Sequence, residues 1–149
     1  MRYIYILLLI LVFSLITLQL CSKHVKPIKS ANDTIQITDG VKTVKIPIAS
    51  LSKQMNRRVK ARKGSEWQGM YLSKLLIDNG YDVKKYRNCT LEARDGMKVT
   101  ISMEDIRDDN AFIAFMKEKK SKGRDLKLVM IPDPFEQRWL KYVNRIVLE

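Results

Sequence analysis

The chain has 149 residues, two cysteines and one histidine, and carries a formal charge of +12 at pH 7. With His24 as the sole histidine, the usual zinc sites and Ser-His or Cys-His catalysis are excluded. The basic balance suits anionic headgroups, acidic polysaccharide or an acidic protein partner; nucleic acid is not expected, because no helix-turn-helix, RNP motif or zinc finger accompanies it.

Apart from Arg2, residues 1–20 carry no charge, and Ile4 to Leu20 is almost continuous Leu, Ile, Val and Phe. As a helix, the 18 residues from Tyr3 to Leu20 would reach about 27 Å, against a bilayer core of about 30 Å. A signal peptide and a single spanning helix both fit that length. Cys21, followed by Ser22 and Lys23, adds a third reading: it resembles the processing site of a bacterial lipoprotein, although Leu20 stands where a small residue is usual. Lys23, Lys26 and Lys29 outnumber Arg2, so an uncleaved segment would favour a cytosolic domain by the positive-inside tendency. Against that tendency, the expectation is an extracytoplasmic domain, periplasmic or at the cell surface, anchored by lipidation at Cys21 or by the helix, because the family resemblance set out below is commonest among exported proteins. Setting aside residues 1–20, with Arg2 their single cation, leaves 129 residues and a charge of +11. That length suits one domain with one core.

Residues 22–33 read as a linker, and the domain is expected over 34–149. Thr34–Thr38 alternates apolar and polar, Asp39-Gly40 supplies turn residues, and Val41–Ile48 alternates again: a hairpin. Ala49–Met55 reads as one helical turn. Asn56–Lys63 reads as a strand with Val59 and Ala61 inward and Arg58, Lys60 and Arg62 on its other face. Trp67–Leu72 leads into an amphipathic helix over Leu72–Asn79, with Leu72, Leu75 and Leu76 as its apolar stripe and Gly80 as its stop. A second hairpin follows, Cys89–Arg94 and Met97–Ser102 around Asp95-Gly96. Glu104–Asn110 reads as a loop or short turn whose carboxylates lack the spacing of a calcium loop. Ala111–Met116 and Leu126–Ile131 are strands around the charged turn Lys117–Asp125, and Trp139–Leu148 gives a final strand, either directly or after one helical turn. Cys89 reads as a small buried hydrophobe, and Trp67 and Trp139 as core. The expected class is α+β, mostly β hairpins with one clear amphipathic helix.

Three stretches carry a resemblance. Trp67-Gln-Gly-Met-Tyr-Leu-Ser-Lys-Leu-Leu, Arg94-Asp-Gly with its following strand, and Leu126-Lys-Leu-Val-Met-Ile-Pro with Arg138-Trp-Leu-Lys-Tyr-Val-Asn-Arg-Ile occur in order from Thr34 to Leu148. Together they resemble the molybdopterin-binding domain of the sulfite oxidase and sulfoxide reductase-like family. The resemblance implies that family's fold and molybdopterin as the cofactor. Full members place a cysteine thiolate on molybdenum shortly before the Trp-x-Gly element. Here the corresponding stretch, Asn56-Arg-Arg-Val-Lys-Ala-Arg-Lys-Gly, has none, and Lys or Arg cannot replace a soft anionic ligand.

At the face that the resemblance assigns to the cofactor, Arg58, Arg62, Lys63, Arg138 and Lys141 are the candidate anion-binding residues, alongside Arg57 and Lys60. The same residues also read as a solvated strand face. No catalytic residue and no metal ligand is expected. The expected function is a membrane-anchored binding or interaction module without molybdenum catalysis, holding an anionic ligand or an acidic protein partner. A molybdopterin-dependent oxidoreductase, or a subunit of one, is the alternative.

Overall fold

The computed structural model describes residues 34–62, 64–116, 125–134 and 136–149. The hydrophobic run, Cys21, the linker, Lys63 and most of the charged turn after Met116 lie outside the described residues. Those described belong to one compact unit, 31–149, and among them no helix is long and apolar enough to cross a membrane.

The unit is α+β and mostly β: two five-stranded sheets and, among the described residues, three short helices. The first hairpin is β1 (Thr34–Thr38) and β2 (Thr43–Pro47). Gly40 takes a φ of +85° at its turn, and the Asp39 carboxylate accepts from the Val41 and Lys42 amides, which fixes the register. The second hairpin, β5 (Asn88–Ala93) and β6 (Lys98–Ser102), turns through Gly96 at +88°. These strands and β10 (Val143–Leu148) make one sheet in the order β2-β1-β10-β5-β6, with β1 and β10 parallel. Its outward face carries a cross-strand row, Lys45–Gln36–Arg145–Glu92–Lys98, in which Glu92 meets Lys98 at 2.7 Å and Arg145 at 3.4 Å. These four charged side chains thus solvate one face of the sheet.

The other sheet runs β3 (Arg57–Lys60), β4 (Glu66–Tyr71), β7 (Ala111–Phe115), β8 (Leu126–Met130), β9 (Leu140–Lys141). β8 is buried throughout and β7 nearly so, as expected of strands covered on both faces. Gly69 on β4 is obligatory: a Cβ there would lie 1.9 Å from the Ile113 carbonyl oxygen and 2.8 Å from Ala114 Cα.

Helix α1 (Ile48–Leu51) follows β2, and α2 (Leu72–Asp78) buries Leu72, Leu75 and Leu76 completely. A Schellman cap ends α2: the Gly80 amide donates to Ile77 O, the Tyr81 amide to Leu76 O, and Gly80 has φ +78°. Where a loop or short turn is expected after Ser102, the chain forms α3 (Met103–Arg107). The Ser102 hydroxyl caps it by accepting from the Asp105 amide at 3.1 Å while donating to the Asp105 carboxylate. Its far end repeats the Schellman pattern with an aspartate in the glycine position, Asp109 at φ +58°.

Two further expectations are corrected. The expected strand 56–63 stops at Lys60, because Ala61–Ser65 closes a tight loop with Gly64 at φ +85°. The expected facing nevertheless persists past the strand end: Ala61 is buried and Arg62 exposed. The expected final strand is two strands in different sheets. Tyr142, at φ +58°, turns the chain from β9 in one sheet to β10 in the other.

Candidate functional site

A cavity of about 510 Å³ opens where β3 begins, β4 ends and α2 packs beside them. That volume is in the ordinary range for small-molecule sites. Arg57 stands at its edge, with its guanidinium carbon 5.8 Å from the Tyr71 ring centroid. Among the described residues the Arg57 side chain makes no hydrogen bond and no ion pair. It is a cation supported on an aromatic face, with its N–H donors unspent. Lys74 also lines the cavity, but it is paired with Asp78 at 2.9 Å along α2. Asp109 reaches the cavity from the end of α3 and accepts from the Ser73 hydroxyl at 2.5 Å. Ile77, one of the exposed large apolar residues of the unit, lies on the same wall.

Among the described residues at the expected anion-binding face, Arg57 lines this cavity and the others do not. Arg58, the neighbour of Arg57 on the other face of β3, lines a smaller groove of about 230 Å³ with Glu66, Trp67 and Gln68. Arg62 is exposed in the β3–β4 loop, and its backbone amide donates to Ile131 O. Lys141 lies on β9, the last strand of that sheet in the order that begins with β3. Lys63 lies outside the described residues. Neither Arg62, Arg138 nor Lys141 lines either cavity.

Arg138 is occupied. Its Nε and one terminal nitrogen form a fork on Asp133, at 3.1 and 2.6 Å, and the other terminal nitrogen donates to Asp105 at 2.8 Å. Asp133 first, then Asp105, holds this guanidinium's pKa above its ordinary value. The group thus works as a clamp between α3 and the segment after β8, and both carboxylates are already spent on it.

Between those segments lies an arrangement that sequence reasoning missed. Lys127, buried on β8, places Nζ 4.4 Å from the Trp139 ring centroid and 4.6 Å from that of Trp67, with Glu136 at 3.8 Å. The two indoles meet edge to face at 5.7 Å, and each ring N–H is satisfied, by Ser65 Oγ and by Met130 O. Lysine at an inward position of a buried strand is tolerated because two ring faces and a carboxylate replace its water.

Cys89 faces the core from β5, fully buried, and burial pushes its thiol up to about 12. It is a neutral thiol at physiological pH, in the sheet that does not contain β3. Among the described residues no group of His, Cys, Asp and Glu is arranged to hold a metal ion. No protein-family model matches the chain, and no curated protein matches it in sequence.

Proposed function

We propose that this protein is a membrane-anchored extracytoplasmic binding module, built on a divergent molybdopterin-domain-like fold, that holds a small anionic ligand without molybdenum catalysis. The fold reading is supported by the order of the three sequence stretches and by the structural necessity of Gly69 within Trp67-Gln-Gly. The residues present do not fit molybdenum. The stretch 56–64 has no cysteine, and Cys89 is a protonated core thiol in the other sheet.

The observation that carries the binding reading is Arg57, held over Tyr71 at the edge of a preformed cavity with its donors unspent. Such a guanidinium is suited to a carboxylate or phosphate. Calorimetric titration with 4-methylpentanoate and with inorganic phosphate tests this. Arg57→Ala is expected to weaken binding about tenfold or more, the worth of one charged hydrogen bond. Unchanged affinity in that variant, or no binding to the unmodified protein, overturns the reading. Stoichiometric molybdenum in protein from its native host would replace it with a molybdenum enzyme. For the anchor, protease treatment of intact cells should degrade residues 34–149, and Cys21 should incorporate labelled fatty acid.

A further inference from the structure

The cavity presents two charged groups of opposite sign, each with hydrogen-bonding capacity to spare. Arg57 has its N–H donors unspent. Asp109 commits Oδ1 to Ser73, and its Oδ2 makes no hydrogen bond among the described residues. The two do not pair with each other within 4.0 Å. The other charges on the wall, Lys74 and Asp78, satisfy one another.

A simple carboxylate would satisfy Arg57 but meet repulsion from Asp109, and a simple amine would meet the reverse. Only a ligand bearing both charges completes both groups. Ile77, more than half exposed on the same wall, is left for an apolar substituent to cover. We infer that the cavity binds a zwitterion of the amino-acid or dipeptide type, its carboxylate on Arg57, its ammonium on Asp109 and an apolar side chain against Ile77. This rests on the anionic-ligand reading above and adds the second charge. The volume, about 510 Å³, accommodates either size.

Isothermal titration of the full chain with leucine, dileucine, 4-methylpentanoate and 3-methylbutylamine separates the possibilities. The two monoacid and monoamine probes each lack one of leucine's charges. Leucine or dileucine is expected to bind about tenfold tighter than either. Asp109→Asn keeps an acceptor for Ser73 and a residue type at home at positive φ, and should reduce zwitterion affinity to the level of 4-methylpentanoate. Arg57→Ala should weaken both about tenfold or more. In the unmodified protein, leucine should move the Asp109 carboxylate resonance, and 4-methylpentanoate should not. Equal affinity for leucine and 4-methylpentanoate, or an unmoved Asp109 resonance, overturns the zwitterion and leaves the anionic reading standing. No binding of any probe or of phosphate overturns both.

Discussion

Asp39 is held below its ordinary value of 3.8, first by the Lys42 amide and next by the Tyr86 hydroxyl, which donates to its Oδ2 at 2.8 Å. Because the folded-state pKa is depressed, its contribution to stability is complete above about pH 3.8 and is lost as pH falls through the lower folded value. The same bond pushes the Tyr86 phenol up to about 12, so that contribution is complete below 10.0 and lost as pH rises through about 12. Tyr86→Phe should raise the Asp39 pKa toward 3.8 in an NMR titration and shrink the acid-induced loss. An Asp39 titration that does not move would show that the amides alone set it. At Gly69 the constraint is steric. Since a Cβ would strike the backbone of β7, Gly69→Ala should cost about 3 kcal/mol or more in urea denaturation. A loss below about 1 kcal/mol would mean that the strands part easily there.

At the scale of elements, both hairpins and α2 were legible because their instructions are local: period-two alternation, Asp-Gly turns, and three leucines ending at a glycine. Helix α3 was not read, although Ser102 and Asp105 stand at capping spacing, because its stop is Asp109 and not glycine. The break at Tyr142 is invisible to periodicity, since both strands around it mix apolar and polar residues and only the sheet switch separates them. The cavity was legible only as basic character near residue 57. Tyr71 and Asp109 reach it from distant segments, through the pairing of β4 with β7 and the cap of α3. Arg138 shows how residue type misleads: its carboxylate partners are 5 and 33 positions away. Two variants test these element-level roles by urea denaturation. Ser102→Ala should cost about 1 kcal/mol through the lost cap. Arg138→Lys, which keeps the charge but loses the fork, should cost about 1 kcal/mol, discounted for a side chain 40% exposed. Ligand affinity at Arg57 should stay unchanged in Arg138→Lys; a fall in affinity there would place Arg138 in the binding site after all.

At the scale of the molecule, the start of the described unit and the C-terminal end of α2 lie at opposite ends of β1. The described unit begins with β1 at Thr34, and β1 runs about 17 Å to the turn at Asp39-Gly40. Lys42, just past that turn, donates from Nζ to Asn79 O at the end of α2 and covers the Tyr81 ring at 4.8 Å. The C-terminal end of α2, which carries Ile77 and Asp78 into the cavity wall, is therefore fixed to the far end of β1 from Thr34. Every residue lining the cavity, from Gln54 to Asp109, belongs to the unit that begins at residue 31. Ligand affinity should accordingly be the same, within about threefold or ~0.7 kcal/mol, for the full chain in vesicles and for a chain beginning at residue 31. Parallel titrations of the two forms with leucine make the comparison. A membrane-bound form that binds much more weakly would mean that the bilayer covers the cavity, and the binding end would then be the membrane-facing end.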